Sequence, residues 1–440
     1  MNGLARRLRA RLPAGSFARS VGILASGAAL GQAITLLASP LLSRLYTPAD
    51  FGLLAVYSSL LGILTVAANL RYELAIPLPA EDEEAAQVLG ISLAVAVAVG
   101  LATALAAWAF GDGLVELAGA PGLRPHLWLL PIGVVAVGAY QALSYWAVRK
   151  QAYGPIAMTR LAQGASGAAV QLLLGLLRLG PIGLIVGQVV GQAAGSSSLA
   201  SRVLRLDAPT LSRVRPRAML AAARRYDRFP KYSTAGALLN SSSLQLPSVL
   251  LTAYFGAAVA GWYFFAQRLL RSPLNMVANA VSQVYYGQAP RLARDNPRGL
   301  LTLFQRTARR LLLVGAVPLG LLAAVGPWAF ATLFGDRWTA AGVYAQLLAP
   351  YLLFQFAFGP VSQTFSILEA QRAMLLLNAS KMLLSVGPVV AAGRLGLSPE
   401  TAVLTHSLGL ATNYVMAYVV CSRLIRHRIE AHAGSGAGRS

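Results

Sequence analysis

The chain has 440 residues, of which only 12% are charged and 56% are hydrophobic, with a formal charge of +22 from 37 Lys and Arg against 15 Asp and Glu. A soluble domain carries about 25% charged residues, so this composition excludes an ordinary water-soluble fold. It also argues against a nucleic-acid binder, whose basic residues form a patch on a soluble surface, because here the charge is confined to connections between apolar runs.

The expected architecture is an all-α integral membrane protein. Apolar runs of spanning length lie near 21 to 43, 51 to 70, 88 to 110, 126 to 148, 161 to 179 and 182 to 200. A second set lies near 234 to 254, 261 to 287, 311 to 334, 342 to 366, 373 to 393 and 399 to 422. About 20 residues at 1.5 Å each cross a hydrocarbon core of roughly 30 Å, so twelve transmembrane helices are predicted. Gly180 and Pro181 mark a tight hairpin between the fifth and sixth. A basic N-terminal segment over 1–20 precedes the first span. An uncleaved span fits better than a signal peptide, because the run from Val21 exceeds a signal h-region.

With the N-terminus placed in the cytoplasm, 30 basic residues fall on the inside, against five outside: Arg44, Arg124, Arg178, Arg337 and Arg394. The count assigns two to the tenth-to-eleventh connection, and the positive-inside rule then puts both termini in the cytoplasm. The basic face meets anionic lipids. Trp108, Trp128, Trp146, Trp262 and Trp328 fall near predicted span ends, as an aromatic belt requires.

The connection 201–233 carries nine basic residues and divides an N-lobe over 21–200 from a C-lobe over 234–422, with a tail over 423–440. Six spans per lobe give both lobes one orientation, as in parallel repeats. PLLSRLYTPADFGLLAVYSSLL from Pro40 and VLLTAYFGAAVAGWYFFAQRLL from Val249 align at an offset of 209, with Gly52 opposite Gly261. Within the connection, Arg217 to Pro230 reads as a surface-lying amphipathic helix, with a solvated linker as the plainer alternative.

No phosphate loop, HExxH or kinase-type set is present, and the four histidines form no ligand cluster, so no cofactor, metal site or intrinsic ATPase is expected. Cys421 is the single cysteine. The run Glu81 to Glu84 reads as the first turn of the third helix, where carboxylates favour the helix dipole. Gly183, Gly187, Gly191 and Gly195 repeat every fourth residue, a close-packing pattern.

Arg268 and Arg271 are charges at membrane depth, about 10 and 15 Å into the eighth span and on one helix face. Such a pair must face an aqueous cavity or an anionic partner, and a guanidinium fork suits phosphate. The alternative is pairing with a carboxylate on a neighbouring helix. Gln32, Asn69, Asn240, Gln245, Asn275, Gln283, Gln355, Gln363 and Asn413 supply polar groups on other spans, either as glycan contacts or as interhelical glue. Arg71 and Glu73 are candidates for a gate or an ion-coupled carboxylate, with His406, or else Arg71 and Glu73 form a snorkelling pair.

The stretch SGAALGQAITLLASPLLSRLYTPADFGLLAVYSSLLGILTVAANLRYELAIPLP from Ser26, with its SRLYTPADFG and LRYELAIPLP motifs, resembles bacterial polysaccharide-export flippases. These are the Wzx-type O-antigen and oligosaccharide flippases of the MATE-related MOP superfamily, and QRLLRSPLNMVANAVSQVYYGQAP in the second half is similar too. The resemblance implies a MATE-like fold, two six-helix lobes around a central cavity, rather than the fourteen helices of lipid II flippases. It implies a bacterial inner-membrane transporter, not an enzyme, that moves undecaprenyl-diphosphate-linked oligosaccharide to the periplasmic leaflet by alternating access. Coupling to H+ or Na+, and partnership with a polysaccharide polymerase and glycosyltransferases, are implied in the same way. On this reading Arg268 and Arg271 bind the diphosphate. The rivals are a multidrug exporter of the same superfamily and a membrane glycosyltransferase or polymerase.

Overall fold

The computed structural model describes residues 16–437, so most of the basic segment expected over 1–20 lies outside the described residues. Twelve helices of 20 residues or more follow one another, with no strand among the described residues. They are α1 (Ser16–Leu45), α2 (Pro48–Ala67), α3 (Asp82–Leu117), α4 (Leu129–Arg149), α5 (Tyr153–Leu176) and α6 (Pro181–Leu206). Then come α7 (Thr234–Phe255), α8 (Ala257–Asp295), α9 (Pro297–Phe334), α10 (Thr339–Phe358), α11 (Gln371–Arg394) and α12 (Pro399–Ala437). Among the described residues, nine helices are long and apolar enough to cross a membrane. Helices α5, α7 and α8 fall short because polar side chains interrupt them, including Gln163 and Gln171, Asn240 and Gln245, and Arg268 and Arg271.

The chain forms two compact units, Met1–Leu238 and Leu239–Ser440. Three pairings recur in both. In the first unit α3 packs on α4, α4 on α6 and α5 on α6; in the second α9 packs on α10, α10 on α12 and α11 on α12. Helices α2 and α8 begin 209 residues apart, matching the sequence offset.

The SRLYTPADFG segment builds the corner joining α1 to α2. Pro48 fits the first turn, where its missing N–H costs nothing. The Asp50 amide donates to Thr47 Oγ1 at 3.2 Å and the Thr47 amide donates to Asp50 Oδ2 at 2.8 Å, closing a capping box. Buried Tyr46 donates its hydroxyl to the Gln171 carbonyl at 2.6 Å and so ties this corner to α5.

Glycine brings α1, α5 and α6 into backbone contact. A Cβ at Gly31 would lie 2.3 Å from the Arg160 carbonyl oxygen, and one at Gly187 would lie 2.3 Å from Gln171 Cγ and 2.9 Å from the Gly167 carbonyl oxygen. The four-residue glycine period is thus a packing seam. Proline is distributed differently: beyond the first turn of the twelve described helices the first unit has only Pro40, whereas the second has Pro247, Pro273, Pro290, Pro318, Pro327, Pro350 and Pro388.

The basic connection after α6 is fastened to the first unit. A short helix, Pro216–Arg225, occupies much of the expected amphipathic segment, and its apolar residues Met219, Ala222 and Ala223 pack into the protein cluster around Ala85, Val88 and Leu89. The expected segment is thus an amphipathic helix, and protein covers part of its apolar face while Leu220 stays exposed. The acidic start of α3 holds the same connection. Glu83 pairs with Arg213, Glu84 with Arg225 at 2.6 Å, and Asp82 with both Arg149 at 2.8 Å and Lys150 at 2.5 Å. Gln87 completes the clamp by donating to the Arg213 carbonyl and accepting from the Arg215 amide.

Gly187→Leu should lower the thermal midpoint of the detergent-purified protein, corresponding to about 1–3 kcal/mol of overpacking. Gly113→Ala, where a Cβ meets nothing within 4 Å, should leave it unchanged, and a thermal melt compares the two.

Candidate functional site

Helix α8 starts at Ala257, earlier than the apolar run, so Arg268 and Arg271 sit about 16 and 21 Å along it, deeper than the sequence estimate. Arg268 makes no hydrogen bond or ion pair with a described residue. Arg271 reaches Gln267 Oε1 at 3.4 Å, while its Nε is buried without a partner. Gln267 Nε2 donates to the Tyr263 hydroxyl at 2.9 Å, and that hydroxyl meets His406 Nε2 at 3.1 Å. His406 Nδ1 lies 2.8 Å from the Ser385 carbonyl oxygen, so both ring nitrogens of this buried histidine are engaged.

A third cation belongs with them. The positive-inside count groups Lys381 with Arg372 in the tenth-to-eleventh connection, although Lys381 falls inside the predicted run 373 to 393; the structure puts it ten residues into α11, about 15 Å along the helix. Its ammonium donates to Asn240 Oδ1 at 3.2 Å and lies 5.7 Å from the centre of the Tyr414 ring. Arg271 is within electrostatic reach of Tyr351, Tyr414 and Lys381.

No carboxylate neutralises these charges. The Asp and Glu residues of the second unit are Asp295, Asp336, Glu369, Glu400 and Glu430, all at helix ends, in connections or in the last turns of α12. The sequence alternative, a carboxylate partner for Arg268 and Arg271, therefore has no candidate among the described residues. A charge at this depth is expensive without compensation, so an open anion requirement is built into the unit.

Lys381 borders a cavity of about 330 Å³ within the second unit. Asn240, Asn275, Gln363 and Asn413 line it as a group, together with Gln355, Asn279 and Asn378. Sequence reasoning passed over Asn279 and Asn378, although Asn275 and Asn279 share the i, i+4 spacing that faces one side of a helix. Gln245 and Gln283 do not line this cavity, and Gln32 is an exposed residue of the first unit. Asn69 is interhelical glue, donating to the Gly138 carbonyl at 2.9 Å.

Arg71 and Glu73 lie in the first unit, in the turn after α2. Arg71 adopts a left-handed backbone (φ 64°) and leads into the short helix Tyr72–Ala75. Its Nη1 is 3.6 Å from Glu73 Oε1, beyond hydrogen-bonding range. Glu73 is 3% exposed, and burial pushes its carboxyl above the usual carboxylate range despite the nearby arginine.

Comparison with known structures defines the class. A multidrug resistance MATE family transporter of the MOP superfamily, in an inward-facing conformation, aligns with a TM-score of 0.66 at 16% identity, covering 91% of this chain and 96% of that one. Lipid II flippase MurJ, inward closed, aligns with a TM-score of 0.68 at 11% identity, covering 91% and 86%. A MOP superfamily transporter from Pyrococcus furiosus, described as having reverse polarity in its binding pocket, gives 0.61 at 17% identity, covering 94% and 96%. The fold is thus MATE-like, an all-α arrangement with many helices of membrane-spanning length. Residues 41–342 match the model of the polysaccharide biosynthesis protein family, and the chain belongs to that family. The succinoglycan biosynthesis transport protein ExoT of Rhizobium meliloti (strain 1021) is 28% identical over 318 residues, 70% of this chain. The match spans 61% of that relative's length.

If the second-unit cavity is water-filled, Asn279→Cys should react with a membrane-impermeant thiol reagent. Ala260→Cys, at a fully buried position, should not, and mass spectrometry of the labelled protein distinguishes them.

Proposed function

We propose that this protein is a lipid-linked saccharide flippase of the bacterial inner membrane. Its substrate is an oligosaccharide carried on undecaprenyl diphosphate, moved from the cytoplasmic to the periplasmic leaflet by alternating access of twelve spanning helices with both termini in the cytoplasm. The observation that carries this reading is the set of three cations, Arg268, Arg271 and Lys381, deep in helices whose interiors hold no carboxylate, one of which, Lys381, borders a cavity walled by amides. The cations match a diphosphate in charge, and the arginines also match it in fork geometry. Asn and Gln side chains both donate and accept, as sugar hydroxyls require. The polyprenyl tail remains in lipid.

The family match and the transport protein ExoT support saccharide export as the context. A cationic interior disfavours the cationic compounds of a multidrug exporter. A glycosyltransferase or polymerase would need acid–base or metal chemistry. Among the described residues no group of His, Cys, Asp and Glu could hold a metal.

Replacing Arg268, Arg271 and Lys381 together with Gln should reduce glycan export in cells by about a thousandfold or more, since each of the three lost charge-assisted contacts is worth about 1.5–3 kcal/mol and about 1.4 kcal/mol is a factor of ten. The variant should still reach the membrane, as judged by immunoblot. Normal export from a membrane-inserted triple variant would overturn the assignment.

A further inference from the structure

The turn after α2 holds a cluster that the diphosphate and glycan contacts do not use. Glu73 is the one buried carboxylate among the described residues, and its Oε2 has no partner. Asn69 Oδ1 and Arg71 Nε are also buried and unpartnered, so three such atoms fall within five residues of this turn. Helix α4 packs against it: Asn69 bonds the Gly138 carbonyl and Gln141, and Tyr145 interacts electrostatically with both Glu73 and Arg71.

Arg71 differs from its neighbours because its side chain is 31% exposed while that of Glu73 is 4% exposed. The two are held by charge alone, since 3.6 Å is too long for a hydrogen bond. Two consecutive non-glycine residues with positive φ, Leu70 at 46° and Arg71 at 64°, keep them together in a backbone conformation that side-chain-bearing residues rarely adopt.

We infer that the Arg71–Glu73 pair is a proton-controlled anion site: ionised Glu73 holds the Arg71 guanidinium, and a proton on Glu73 releases it to bind a phosphate-like oxyanion. The buried partner is reachable by a proton but not by a larger ligand, and the partly exposed partner is reachable by an anion. By linkage, anion binding favours protonation as much as protonation favours anion binding. Burial already biases Glu73 toward its neutral form, so the sign is fixed: anion affinity rises as pH falls.

Other charged groups near the turn are engaged elsewhere. On α3, Asp82, Glu83 and Glu84 pair with Arg149 and Lys150, Arg213 and Arg225. In the helix Phe229–Ser233, which packs on the turn, Lys231 pairs with Asp227, and both act on Tyr72 rather than Glu73. From α4, Tyr145 is the titratable group that faces Glu73. The inference does not depend on which saccharide is carried or on the cations of the second unit.

The test uses the full chain in detergent with Arg268, Arg271 and Lys381 replaced by Gln, and sulfate as probe because its charge is constant over the range used. Calorimetry should show sulfate binding about tenfold tighter near pH 5.5 than near pH 8. Glu73→Gln should bind tightly at both pH values, and Arg71→Gln at neither. If Glu73→Gln gives no folded protein, Glu73→Asp should retain the pH dependence of the parent. A parent-like pH dependence in Glu73→Gln, its loss in Glu73→Asp, or parent-like binding in Arg71→Gln overturns the inference.

Discussion

Uncompensated positive charge in a low-dielectric interior is the constraint that organises the second unit. A guanidinium or ammonium deep in a membrane helix needs water, a counter-charge or a ligand, and the interiors of α7 to α12 offer no carboxylate. The remaining polar features follow from that requirement. Amides collect around the cavity that Lys381 borders, Gln267 bridges Arg271 to Tyr263, and hydrogen bonds engage both ring nitrogens of His406.

The first unit solves its charge problem in the opposite way. The arginines of its basic connection meet carboxylates directly, through the acidic start of α3, and the pairs are mostly exposed. Individually such pairs contribute little. As a set with Gln87 and the buried apolar face of the Pro216–Arg225 helix, they attach a highly basic connection to its own unit. Arg71 and Glu73 are the exception, the place where the first unit keeps an ion pair that is neither hydrogen-bonded nor fully solvated.

Much of this was readable from residues alone. The helices are legible as apolar runs, the first turn of α3 as an acidic cluster, and the α5–α6 seam as a glycine period, because each is a local pattern with one physical cause. Arg268 and Arg271 are legible because two charges at i, i+3 interrupt a hydrophobic run. Lys381 is not. It stands alone in a helix whose average apolarity is high, so an average hides it and only its position along α11 exposes it. Gln32 and Gln283 show a complementary limit: residue type identifies a polar group in a helix, but the helix's rotation decides which surface it faces, and both are exposed and line no part of the second-unit cavity. The burial of Glu73 depends on two left-handed residues before it, a backbone choice that no periodicity announces.

The unequal distribution of proline and glycine has a mechanical consequence. In the first unit, backbone-to-backbone contacts along α1, α5 and α6 leave few side chains to repack, which makes that layer stiff. In the second unit, each internal proline deletes a backbone hydrogen bond and introduces a compliant joint. One of them, Pro273, lies two residues beyond Arg271. The bond it removes is the one to the Leu269 carbonyl, so bending there would reorient the part of α8 beyond Pro273 relative to Arg268 and would flex the turn that carries Arg271, which places charge and elasticity in the same stretch of helix.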